Sequence, residues 1–195
     1  MPSMGYRTFK LYTKQEKASK YKEVSIDDTS IENKRYRLEF NPETGYLKSF
    51  YDKAEDLEIL RREGARLCVM EDTGDTWSHN IFKFDKELGV MELVSMKILE
   101  RGPVRSSMRV KYRYKDSYIV EDFRVYKELD FVEVKMKIDW REPRTIVKLK
   151  FPVNFNFRKP TYEIPYGYME KSANGEEEPG QTWIDFTGEH FTAGK

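Results

Sequence analysis

The chain has 195 residues, one cysteine and a formal net charge of +1, with 35% charged and 14% aromatic residues. One cysteine excludes a disulfide framework and a cysteine-based zinc module, near-neutrality argues against a nucleic-acid surface, and no apolar run approaches the ~20 residues of a membrane span. The aromatic content argues against disorder in spite of the charge.

From the N-terminus, a short strand is expected at 6–12. The polar, lysine-rich stretch 13–23 (TKQEKASKYKE) has no apolar period and reads as a linker. Residues 1–12 would then close a preceding small β element, and 24–195 would form the main domain. Tyr36, Leu38 and Phe40 share one face at 35–40. Further strands are expected at 46–52 and 66–71, and again at 92–98, where Val94, Met96 and Ile98 alternate.

The strongest alternation lies in the middle of the chain. Val104, Ser106, Met108, Val110, Tyr112 and Tyr114 take one face, and Arg105, Ser107, Arg109, Lys111 and Arg113 the other. Ile119, Phe123 and Val125 continue the pattern. Val132, Val134, Met136, Ile138 and Trp140 then face inward, against Glu133, Lys135, Lys137 and Asp139. A period of two is that of a strand with one buried and one solvated face, because a helix needs apolar spacings of three and four. Val147, Leu149, Phe151 and Val153 form another strand, and shorter ones follow at 161–169 and 181–186. Asn41–Gly45, Arg101–Pro103, Lys115–Ser117 and Asn174-Gly175 supply turn chemistry between them. Many strands joined by short turns predict an all-β, antiparallel two-layer sandwich. The segment Glu189–Lys195 lacks a strand partner or cap, so the chain reads as a trimmed piece.

Candidate chemistry is sparse. Only His79 and His190 could serve as imidazole bases, and Cys68 sits in the apolar run Leu67–Met70, where it reads as a buried small hydrophobe. No glycine-rich phosphate loop is present. Two loops stand out. Glu71–His79 carries three acids, Trp77 and His79. It is either a polar connection with Trp77 capping the core edge, or a sugar-contacting loop with an aromatic platform beside carboxylates and an imidazole. Tyr162–Glu170 and Asn174–Trp183 enclose three adjacent glutamates. They form either a solvated tip or a flap folded over a ligand, with Gln181, Trp183 and one glutamate facing it.

Several segments, in order, resemble one known module: Ile31–Lys34, Tyr36–Phe40, Thr44–Lys53, Glu71–His79, Gly102–Arg105, Tyr162–Gly167 and Asn174–Gln181. Together they resemble the C-terminal β-sandwich region of bacterial α-mannosidases of glycoside hydrolase family 38. The resemblance implies a supersandwich of the galactose-mutarotase type over 24–195, lacking its final strands. It implies that the nucleophile, the general acid and the ligands of zinc or another divalent metal lie in a separate α/β barrel, with no catalytic or metal residue in this segment. Asp75, Trp77 and His79 match one sugar-contacting loop of the family. Tyr166, Glu170, Glu177 and Gln181 lie in the other. The implied partners are a mannose-containing oligosaccharide and the enzyme's own barrel. An exposed former interface also predicts a homodimer. Nucleic acid and membrane are not expected partners. The absence of a basic–apolar–small leader makes a cytoplasmic setting the expectation. Two other readings stay open: a free-standing carbohydrate-binding module, and a mutarotase-like epimerase that would need a His acid and a Glu base facing one pocket.

Overall fold

The computed structural model describes residues 5–6, 8–10, 24–156 and 159–190, and every regular element among them is a β-strand. Strands β1 (Ser25–Ile26), β2 (Ser30–Glu32), β3 (Tyr36–Phe40), β4 (Leu47–Asp52) and β5 (Leu57–Glu58) form an antiparallel sheet in chain order. Next come β6 (Arg66–Glu71) and β7 (Glu87–Val90). The long strands β8 (Glu92–Arg101), β9 (Arg105–Tyr114), β10 (Ser117–Tyr126) and β11 (Val132–Asp139) then run as a four-stranded meander. β12 (Thr145–Lys150) returns to pair with β6, giving a sheet of order β12-β6-β7. Beyond it, β13 (Phe155–Asn156) pairs with β17 (Glu189–His190), and β14 (Thr161–Ile164) pairs with both β15 (Gly167–Glu170) and β16 (Ile184–Asp185).

The five-stranded sheet and the meander face each other across one apolar layer. Phe40 meets Phe123 edge-on with ring centroids 5.0 Å apart, and Tyr46 stacks on Tyr112 at 5.6 Å. Ile31, Leu38, Leu47, Leu67, Val69, Met108, Val110, Ile119 and Val125 fill the rest. Burial of each such side chain contributes roughly 1.5–3 kcal/mol. Polar pins fix the layers to one another. Asn33 donates from Nδ2 to the Tyr126 carbonyl at 2.6 Å, and its Oδ1 accepts from the amides of Arg35 and Tyr36. The hydroxyls of Tyr46 and Tyr112 donate to the carbonyls of Met91 and Gly45 at 2.7 and 2.8 Å. Burial pushes the Tyr46 phenol up to about 12 and raises the Tyr112 phenol as well, so both hydroxyls remain donors. Gly45 has φ +73, and a Cβ there would lie 2.7 Å from Leu93 and Val110 side chains, so the turn at 41–45 requires glycine on two counts.

Most of the expected faces appear. Tyr36, Leu38 and Phe40 are buried, as are Ser106, Met108, Val110 and Tyr112. Cys68 is free and buried, and burial raises its thiol pKa. Five expectations need correction. Ser107, expected on the solvated face of β9, is 0% exposed. Val104 precedes β9 and is 69% exposed. A register shift between Leu93 and Ser95 turns Val94 outward and gives its inward place to Leu93. The inward face of β11 is only half covered, because β11 is an edge strand, and Ile138 is 58% exposed there. At the C-terminal end, β16 and β17 both have strand partners. Of the strand expected at 6–12, residues 6 and 8–10 are exposed and outside any strand; the rest of it, and the whole linker expected at 13–23, lie outside the described residues.

Candidate functional site

The loop 72–86 connects β6 to β7, which are neighbours in one sheet, so it must leave and return at the same edge. Its first half is wound around two carboxylates. Asp72 accepts the Gly74 amide at 2.9 Å, and Asp75 accepts the amides of Trp77 and His79 at 3.0 and 3.2 Å. Such Asx contacts are the usual reason for aspartate in tight turns. Ser78 and Asn80 take left-handed backbone angles of 52° and 60°, which reverse the chain at this point. The side chains of Asp75 and His79 meet, Oδ2 to Nδ1, at 2.7 Å. The His79 side-chain contact, followed by its amide, holds the Asp75 carboxyl below the usual range. Trp77 is 80% exposed. It therefore does not cap the core edge, and only its backbone amide touches the Asp75 carboxylate.

A cleft of about 330 Å³ lies against the second half of this loop, lined by Glu71, Thr73, Asn80, Phe82, Phe84 and Lys86 among others. Two of its lining residues, Lys86 and Glu71, form an ion pair at 2.7 Å. Thr73, Asn80 and Phe82 had no signal in the sequence beyond the turn propensity of Asn80, because the cleft exists only once the loop folds back.

The second candidate loop reaches the first through one residue. Glu177 accepts the Phe84 amide at 2.8 Å and pairs with Lys148 of β12, which also donates to the Phe84 carbonyl. Glu177 is thus a strut between the loops. Glu163 holds the following segment by accepting the Thr182 amide at 2.7 Å; the Thr182 side chain, then that amide, lowers its pKa. The Gln181 amide donates to the Glu163 carbonyl at 3.2 Å. Tyr166 sits at the apex of the β14–β15 hairpin with φ 62 and is fully exposed. Glu170 lies 3.9 Å from Lys159. Among the described residues, no hydrogen bond or ion pair joins Tyr166, Glu170 or Gln181 to Asp75, Trp77 or His79. The structure therefore brings together Asp75 with His79, and Glu177 with the far half of their loop.

No group of three or more His, Cys, Asp or Glu that could hold a metal occurs among the described residues. No helix among them is long and apolar enough to cross a membrane.

Residues 31–193 match the profile of the glycosyl hydrolases family 38 C-terminal domain, so the chain belongs to that family. A search of curated proteins found no match. Among solved structures, the fold is similar to an alpha-mannosidase from Enterococcus faecalis V583, with TM-score 0.66 and 12% identity over 80% of this chain. It is also similar to a protein in the glycosyl hydrolase family 38 from Enterococcus faecalis, with TM-score 0.69 and 14% identity over 88% of this chain. The chain spans 22% and 24% of those two proteins. The resemblance read from the sequence and the all-β antiparallel fold are both borne out.

Proposed function

We propose that this chain is the accessory β-sandwich of a retaining α-mannosidase, and that it supplies loops to the wall of a sugar pocket whose catalytic barrel is a separate part of the enzyme. The observation that carries this reading is the loop 72–86. In a member of this family, it presents an exposed Trp77 in the same turn as the Asp75–His79 pair. An exposed indole is a platform for the apolar face of a pyranose, and the adjacent carboxylate and imidazole can bond its hydroxyls. Tyr166, Glu170 and Gln181 would contact the sugar from the second loop, while Glu177 holds the two loops together. The domain limits we propose are 24–195 for the sandwich and 13–23 for a linker, with 1–12 closing a preceding element. The barrel would supply nucleophile, general acid and a zinc or other divalent ion. A single, buried cysteine with no partner for a disulfide within the chain fits the cytoplasmic setting we propose.

Chemistry within this chain alone has little to start from. Cys68 is buried with a raised pKa, and Glu121, although a carboxyl with a pKa of about 8, is sealed inside the core. The test is titration of the chain with a mannose-containing oligosaccharide, followed by tryptophan fluorescence, together with an assay on a chromogenic α-mannoside. The reading expects weak, saturable binding that Trp77→Ala abolishes, and no turnover. Binding unchanged in Trp77→Ala, or turnover that survives purification, would refute it.

A further inference from the structure

The outward face of the β8–β11 meander carries a charge pattern that the proposed sugar pocket does not use. The strand register sets it out in rows. Lys97, Arg109, Asp122 and Lys135 lie opposite one another across the four strands, and Ser95, Lys111, Val120 and Lys137 form the adjacent row. These two rows hold five cations against one carboxylate. The flanking rows are different: Glu92, Arg113, Tyr118 and Asp139 on one side, Glu100, Ser107, Arg124 and Glu133 on the other. A cationic belt thus crosses the sheet between two mixed rows, about 14 Å across four strands and about 7 Å along them.

Three of the four flanking carboxylates have their own cations. Glu100 pairs with Arg105 at 2.7 Å, Glu133 with Arg124 at 3.2 Å and Asp139 with Arg141 at 2.9 Å. Within the belt, Asp122 is taken by Arg109 at 2.6 Å. Lys97, Lys135 and Lys137 are exposed and close no ion pair among the described residues. Since the whole chain carries only +1, this concentration of positive charge is local.

We propose that this belt docks an acidic polypeptide segment, a surface loop or chain extension of a partner rich in Asp and Glu. The belt's width decides between occupants. A membrane surface or a nucleic-acid duplex would overlap the carboxylates on both sides, whereas one peptide segment fits between them. Ring availability also decides. Single-stranded nucleic acids and glycans use open aromatic faces. The nearest rings here are covered, Tyr118 by Lys111 at 4.5 Å and Arg113 at 5.7 Å, and Tyr126 by Arg105 at 5.7 Å. Exposed lysines act as mobile point charges and suit a row of peptide carboxylates without demanding a fixed fork geometry. The inference stands apart from the sugar-pocket reading, since no residue is shared.

The experiment measures binding of a fluorescein-labelled octaglutamate peptide to the full chain by anisotropy, at 50 and 200 mM salt. The expected result is binding at low salt that weakens about tenfold at the higher salt, as screening of exposed charges requires. The triple variant Lys97→Glu, Lys135→Glu, Lys137→Glu should lose at least about tenfold in affinity. The control triple Lys48→Glu, Arg61→Glu, Arg62→Glu makes the same change in net charge elsewhere and should leave binding intact. The milder triple Lys97→Gln, Lys135→Gln, Lys137→Gln should show an intermediate loss, and it replaces the reversal if that variant fails to fold. No binding at 50 mM salt, or equal losses in belt and control variants, would overturn the proposal. So would belt-dependent binding of heparin or of phosphatidylserine vesicles in preference to the peptide.

Discussion

The sandwich body, from Val24 to Lys150, and the segment after it are built from opposite materials. The core of the body is made by side chains that alternate along long strands, and its hydrogen bonds run in long ladders, broken between β8 and β9 only by two register shifts. Beyond Lys150 the strands have two to four residues. Tyr166, Tyr168, Met169, Trp183 and Ile184 are exposed there, while Tyr162 is buried, under the Lys171 ammonium. What holds this segment is polar: Glu163 to Thr182, Lys171 to the Pro179 carbonyl, Glu177 to Phe84 and Lys148. Burial of apolar area, rather than strand content, therefore decides where stability resides. An element rich in aromatic residues contributes little when those residues face water.

The sharpest way to break that contrast is to delete an aromatic ring from each region. Phe123 is wholly buried against Phe40, and Phe123→Ala should cost about 3–5 kcal/mol in urea denaturation. A loss under about 1 kcal/mol would mean that the two sheets do not pack through this contact.

Glu121 offers a pH test of the same core. It lies on the inward face between Ile119 and Phe123, opposite Val110 and Met136, with neither carboxylate oxygen partnered. The phenols of Tyr46 and Tyr112 feel its charge, and they bring no positive charge of their own. Burial raises its pKa to about 8 from 4.5. The folded state therefore holds a proton that the unfolded chain releases. Its stability contribution is complete below about pH 4.5, declines as pH rises, and is lost by about pH 8. At ~1.4 kcal/mol per pH unit, the loss is on the order of 5 kcal/mol. Glu121→Met should remove this decline, so the variant should gain on the wild type steadily between pH 5 and 8.5. A stability difference that is flat with pH would place Glu121 in contact with water or with a cation.

Smaller effects grade the boundary between the regions. Trp140 is half-buried, stacked on Tyr114 at 6.2 Å, with its indole N–H donating to Thr145 at 3.2 Å. Trp140→Ala should cost about 2 kcal/mol, less than a fully enclosed ring. Trp183→Ala, in the exposed segment, should cost about 0.5 kcal/mol or less. If Trp183→Ala matched Phe123→Ala, the two regions would be one cooperative core.

Much of the body was legible in the sequence because alternation over ten residues admits one reading. The face of β3 and, Ser107 apart, the faces of β9 follow directly from it. Glu121 was not legible. It stands in phase with Ile119 and Phe123, yet a carboxyl on an inward face contradicts its own chemistry until the structure shows both neighbouring strands covering it. The turned Val94 was hidden for a different reason: a register shift depends on the partner strand. For the candidate site, the Asp75–His79 pair was within reach, since both lie in one short loop. The strut from Glu177 to Phe84 spans 93 positions, and no local pattern announces such a contact.

The division between the two regions is tested most directly by native-state hydrogen exchange of the full chain, read segment by segment. Amides of β3, β9 and β10 should exchange only through global unfolding, while those of 161–185 should exchange through openings that require far less free energy and leave the body protected. Equal protection in the two regions would contradict the account.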